Sequence, residues 1–119
     1  IHVGLGSDIA GGHVLSLFQV MVGAVQASKL RWRLEDDSQK PLTVDEVFYL
    51  GTKGGGAFFG QVGSFEKGYE FDAVIMDDSR LTKPRKLTLK ERLERVVYLS
   101  DDRDVRGKYV AGRKIFAAI

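Results

Sequence analysis

The chain has 119 residues, of which 44% are hydrophobic and 29% charged, and its formal net charge is +2. This composition is typical of one modest globular domain or a piece of a larger one. Because cysteine is absent, the sequence excludes disulfides and thiolate metal sites, which favours a cytoplasmic protein. Acidic and basic residues are interspersed, and the apolar run at residues 14–25 is too short to span a bilayer. We therefore expect neither nucleic acid nor a membrane as a partner.

The first third of the sequence predicts a strand, a loop and a long helix, in that order. Residues 2–6 form a short apolar run with two glycines, as in a buried strand, and residues 7–12 form a glycine-rich loop. Residues 14–34 have a helical pattern that is apolar on most sides up to residue 25. Its small or polar stripe consists of Ser16, Gln19, Gly23 and Gln26. A helix of this kind suits the outer ring of a larger α/β body.

A second helix is predicted after Pro41. Thr43 and Glu46 have the spacing of a capping box, in which each side chain accepts a backbone N–H from the other residue. Its expected buried face consists of Val44, Val47, Phe48 and Leu50. Each glycine of residues 54–56 would cost a helix interior about 1 kcal/mol relative to alanine. These glycines either end the helix or let it press closely against a neighbour, and we favour close packing.

The second half of the sequence predicts shorter elements. Residues 71–77 suggest a strand, residues 78–86 a polar loop, and residues 88–98 a helix with a second capping box. The expected apolar face of that helix consists of Leu89, Leu93, Val96 and Val97. Residues 108–116 predict a tight hairpin, and Asp101, Asp102 and Arg103 predict a solvated charge cluster. A change of pattern near Gly60 is the candidate domain boundary.

Asp8 is the candidate catalytic residue. It follows the predicted strand and is flanked by small residues, which leaves room for a metal and a substrate. In (β/α)₈ barrels the active site is built from residues just past the C-terminal ends of the strands. From the pattern alone, an aspartate after a strand is more often a helix N-cap or a turn former.

Several segments of the sequence resemble the metal-dependent amidohydrolase superfamily. Residues 3–12, VGLGSDIAGG, are similar to the segment that ends barrel strand eight and carries the last metal ligand in that superfamily. Residues 63–75, GSFEKGYEFDAVI, and residues 110–115, VAGRKI, resemble the return into its small β-domain and the closing hairpin. Residues 98–105, YLSDDRDV, are similar to a run found in guanine deaminases within the superfamily.

The resemblance implies hydrolysis of guanine to xanthine and ammonia by a zinc-activated hydroxide. It places Asp8 at the position of the strand-eight aspartate, which is both a metal ligand and the proton acceptor. One carboxylate oxygen can face a metal while the other faces the water. The family is usually homodimeric, so the resemblance also implies a homodimer of the parent protein.

The other metal ligands of the superfamily have no counterpart in this sequence. His2 and His13 are the two histidines present, and they are not spaced like the family's His-x-His pair or its single histidines. Zinc needs about four ligands, so one carboxylate cannot hold it. A role of either histidine in metal or substrate binding remains open beside ordinary hydrogen bonding. The cysteine-ligated nucleobase deaminases are excluded, because the chain has no cysteine.

The sequence thus predicts an α/β fold in two parts. Residues 1–60 are expected to form the last strand and closing helices of a metal-dependent (β/α)₈ barrel, and residues 61–119 part of a small β-sandwich domain. Since the chain opens at Ile1 without methionine, we expect a C-terminal fragment that is inactive alone. Three alternatives remain: an amidohydrolase of another purine, pyrimidine or triazine, a non-catalytic interaction module, and a structural fragment left by proteolysis.

Overall fold

The computed structural model describes residues 1–8 and 10–118. It is a mixed arrangement of helices and strands in which the helices share a core and the strands form one sheet. The elements in chain order are α1 (Leu17–Leu34), α2 (Val44–Tyr49), a π-helical turn (Leu50–Gly54), β1 (Ala73–Met76), α3 (Leu89–Leu99), a 3₁₀ turn (Asp102–Asp104), β2 (Val105–Val110) and β3 (Arg113–Ala117).

The core lies where α1, α2 and α3 meet. Met21 and Val25 are one helical turn apart on α1, and both are buried against Val47 of α2 and Val97 of α3. Burial of these side chains is the main force that holds the three helices together. Because α3 packs on α1, the helix of residues 89–99 belongs to the same core as the first half of the chain. The division into residues 1–60 and 61–119 remains a prediction.

Both predicted capping boxes are confirmed. Thr43 Oγ1 accepts from the backbone N–H of Glu46, whose carboxylate accepts from the N–H of Thr43 at 2.7 Å. Thr88 and Glu91 form the same pair of bonds at the start of α3. These local pairs satisfy N–H groups that have no partner within the first turn of a helix.

The expected buried faces of α2 and α3 are confirmed at their centres, but the first residue of the α3 face is not buried. Val47 on α2 and Val96 and Val97 on α3 are buried. Leu89, expected in the same face of α3, is 79% exposed. It is the first residue of α3, and helical side chains tilt toward the N-terminus, so it extends past the core that Leu93 reaches one turn later.

The predicted strand and hairpin form a three-stranded antiparallel sheet in the order β1-β2-β3. The turn between β2 and β3 has φ of +47° at Ala111 and +75° at Gly112, the left-handed pair that a tight two-residue hairpin requires. Strand β1 covers four of the residues expected at 71–77. Its register with β2 shifts between Ile75 and Met76.

The first segment departs from its prediction at two points. Among the described residues no strand pairs with residues 1–8, so the barrel strand expected at residues 2–6 stays a prediction, and α1 begins at Leu17, not at residue 14. A barrel strand is held by hydrogen bonds from strands on both of its sides. Within the described residues this segment has instead a bond from the Leu5 N–H to the Leu50 carbonyl, at 3.1 Å. A search of residues 1–8 and 10–118 finds no helix that is both long and apolar enough to cross a membrane.

Candidate active-site loop

Asp8 lies in an exposed loop between the first segment and α1. Its φ is +47°, in the left-handed region that aspartate tolerates better than most residues other than glycine. Strained backbone of this kind costs about 1–3 kcal/mol and is concentrated at functional sites. The conformation therefore supports a functional role for Asp8 without defining it.

Asp8 is not the N-cap of α1. That helix begins at Leu17, and Ser16 occupies the capping position. The helix-cap interpretation of Asp8 is therefore wrong. The turn-forming interpretation retains support, because the Asp8 carbonyl accepts a hydrogen bond from the backbone N–H of Gly12.

Gly11 and Gly12 allow the loop to close around Asp8. A Cβ atom on Gly11 would overlap the Asp8 carboxylate oxygen Oδ2, and one on Gly12 would overlap the Ser7 carbonyl oxygen. A side chain on Gly12 would require the loop backbone to move, whereas one on Gly11 would displace the Asp8 carboxylate. Their role in this structure is to form a tight turn beside the carboxylate, and the turn at Gly11 and Gly12 ends five residues before α1 begins.

The described residues do not assemble a metal centre by themselves. Among residues 1–8 and 10–118, no group of three or more histidine, aspartate or glutamate side chains is placed to hold a metal ion. His2 and His13 are both exposed and do not complete such a group with Asp8. The exposed Asp8 carboxylate fits a zinc ligand in kind, but zinc requires about four donors.

The segment before Asp8 is held against the end of the π turn that follows α2 by close backbone contact. A Cβ atom built on Gly4 would lie 2.6 Å from the Cα of Gly55, and one built on Gly54 would lie 3.2 Å from the Val3 carbonyl oxygen. The expected close packing at Gly54 to Gly56 is therefore confirmed. The helix also changes to a π turn at Leu50–Gly54 and ends soon after, so the glycines serve both purposes.

A buried carboxylate outside the loop was missed by the sequence analysis. Asp104 is 2% exposed and accepts two hydrogen bonds from the Arg80 guanidinium, at 2.9 and 2.6 Å. The Arg80 side chain, together with the Asp101 backbone N–H, lowers the pKa of the Asp104 carboxyl. The expected solvated cluster is correct for Arg103, which pairs with Asp101 at the surface. Asp104 is a structural anchor between the loop after β1 and the 3₁₀ turn.

Comparison with known proteins decides the family. A model described as the amidohydrolase family matches residues 1–115. The chain belongs to this family.

The similar proteins of the amidohydrolase family include several guanine deaminases. The guanine deaminase of Dictyostelium discoideum is 36% identical over 97% of this chain, and that of Homo sapiens is 32% identical over 97%. The crystal structure of guanine deaminase from C. acetobutylicum, with bound guanine in its active site, superposes with a TM-score of 0.91 at 51% identity over 98% of this chain. The chain spans about a quarter of the length of these proteins, 27–28%.

Proposed function

We propose that this chain is the C-terminal part of a guanine deaminase, which converts guanine and water to xanthine and ammonia. The observation that carries the proposal is the superposition on a guanine-bound guanine deaminase over 98% of the chain. An identity of 51% over this length supports a shared reaction as well as a shared fold. The proposal includes the barrel end at residues 1–60 and the small β-sandwich part at residues 61–119.

Asp8 is the residue that this chain contributes to the chemistry. Its carboxylate is exposed at a glycine-rich turn, where it can face a metal with one oxygen and accept a proton from water with the other. The zinc that the amidohydrolase resemblance implies would, when bound, lower the pKa of a water to about 7. Asp8 holds the proton that leaves the water and returns it as ammonia departs from C2 of guanine.

The proposal places the remaining zinc ligands in the parent protein, since the described residues supply Asp8 without further grouped donors. This chain purified alone should therefore be inactive and hold no stoichiometric zinc. The cytoplasmic location and the homodimer follow from the sequence and its resemblance and are part of the same proposal.

The test is an assay of ammonia release with the full-length protein and with this chain alone. Guanine should be deaminated by the full-length protein, while adenine, cytosine and an aminotriazine should react far more slowly. A preference for one of those three would favour another amidohydrolase activity over the proposed one. Guanine turnover by the lone chain above the buffer rate, or one zinc per lone chain by elemental analysis, would contradict the assignment of the missing ligands.

A further inference from the structure

We infer that Gly4, which packs against Gly55 just after the π turn, is a positioning residue for Asp8. The surface that Gly4 contacts, called the glycine seat, consists of Gly54, Gly55 and the Leu50 carbonyl at the start of the π turn. The inference rests on the proposed function, because it gives this seat a role in placing the catalytic carboxylate. The contacts between residues 3–5 and this seat involve backbone atoms on both sides.

The π turn supplies the hydrogen-bond acceptor of the seat. The Leu50 carbonyl oxygen accepts the N–H of Gly55, five residues on, and also the N–H of Leu5 at 3.1 Å. A π turn widens a helix locally, and such turns are frequent at functional sites. One oxygen therefore joins the helix end to the segment that leads into Asp8.

Steric contact fixes the same segment from a second direction. Gly4 lies so close to Gly55 that an added Cβ would stand 2.6 Å from the Gly55 Cα, and backbone atoms cannot rotate away as a side chain can. Gly54 faces the Val3 carbonyl, where a Cβ would stand at 3.2 Å. Asp8 is three residues beyond Leu5, and three residues span at most about 10–11 Å. A displacement of the backbone at Gly4 would therefore also displace the Asp8 carboxylate, which follows a few residues later.

The hairpin turn between β2 and β3 provides a destabilising control away from the π turn. Gly112 has a φ of +75°, and an added Cβ there would meet nothing within 4 Å. Alanine at this position is strained by its left-handed backbone and does not touch Gly4, Gly54 or Gly55.

The experiment compares four variants of the full-length protein by kcat, KM, thermal unfolding and bound metal. Gly4→Ala should lower kcat per folded molecule on the order of 10²-fold, as misplacement of a catalytic group by about 1 Å can do. Metal content should fall with it, and KM should change less than kcat. Gly54→Ala should have the same effect in weaker form, because an added Cβ would stand 3.1 Å from the Tyr49 carbonyl oxygen and 3.2 Å from that of Val3, farther than the 2.6 Å at Gly4.

Gly112→Ala and Gly23→Ala are the matched controls. Gly112→Ala should lower the unfolding temperature and leave kcat per folded molecule and metal content unchanged. Gly23→Ala, where an added Cβ meets nothing within 4 Å, should change none of these quantities. Normal kcat and metal content in folded Gly4→Ala would overturn the inference, as would losses matched by Gly112→Ala.

If Gly4→Ala does not fold, Gly54→Ala decides the matter: a reduced kcat per folded molecule supports the inference and a normal one overturns it. Asp8→Asn separates the inference from the proposed function. Inactive Asp8→Asn beside fully active glycine variants would refute the positioning role alone. Active Asp8→Asn would refute the catalytic assignment itself, and the positioning role would fall with it.

Discussion

Asp8 and Asp104 show which kind of residue a sequence pattern can single out and which kind it cannot. Asp8 is the candidate catalytic residue because the segment VGLGSDIAGG around it carries a recognisable pattern, and its role stays a prediction. Its left-handed backbone and the exclusion of a helix cap needed coordinates. Asp104 was missed because its partner Arg80 is 24 residues away, and no local spacing relates the two. Long-range ion pairs leave little signal in one sequence.

Glu91 gives a prediction at the residue scale. The Arg85 guanidinium, and then the backbone and hydroxyl of Thr88, lower the pKa of Glu91 from 4.5 to about 2. A lowered folded-state pKa means that the charged form stabilises the fold above about pH 4.5, and that this contribution is lost as pH falls through about 2. Glu91→Gln keeps an acceptor for the capping box but removes the charge.

The unfolding temperature of Glu91→Gln should therefore lie slightly below that of the unchanged protein at pH 7. The difference is expected to be small because the pair with Arg85 is exposed, and it should vanish between pH 4.5 and 2. Glu94→Gln on the same helix, outside the capping box, is the control. A difference that persists at pH 2 would show that Glu91 acts through packing and not through its charge.

At the scale of elements, structure that depends on nearby residues was predicted correctly, whereas pairing with distant strands could not be predicted. The capping boxes of α2 and α3 and the turn at Ala111 and Gly112 depend on residues within four positions of each other, and all three are confirmed. The strand at residues 2–6 needs partner strands, which the described residues do not provide, so it stays a prediction. Helical spacing predicted α1 but not the residue at which it begins.

Met21 tests the helical core at this scale. It is 1% exposed and contacts the cluster of Val25, Val47 and Val97. Met21→Ala should lower the free energy of unfolding by about 2–5 kcal/mol, through lost burial and a residual cavity. Leu30→Ala on the same helix, where the side chain is 62% exposed, should change it by at most about 0.5 kcal/mol. Equal effects of the two substitutions in denaturant titrations would argue against this core.

At the scale of the whole molecule, several large apolar side chains lie outside the core and are exposed. Phe58, Phe59 and Phe65 are 87%, 78% and 76% exposed, and β3 is exposed along its length. Large contiguous apolar surfaces on soluble proteins are usually covered by a partner or by another part of the chain. In the proposed parent protein this surface would be covered by parts that lie outside the chain, which spans 27–28% of the length of its relatives.

The chain purified alone should consequently associate. Exposed phenylalanines and unpaired backbone groups in residues 1–8 favour oligomers or aggregates at micromolar concentration. Sedimentation velocity of the lone chain should show a broad, concentration-dependent distribution, whereas the full-length protein should sediment as one defined species. A compact, stable monomer of the lone chain would contradict this prediction.

Turnover of Asp8→Asn in the full-length protein tests the central claim most directly. Asparagine keeps the size and one acceptor oxygen of Asp8 but removes its charge and its capacity to accept a proton. If Asp8 is both metal ligand and general base, guanine turnover should fall by about 10²–10⁴-fold or more. The unfolding temperature should change little, because the Asp8 side chain is exposed. Near-normal turnover with metal still bound would contradict the catalytic role of Asp8.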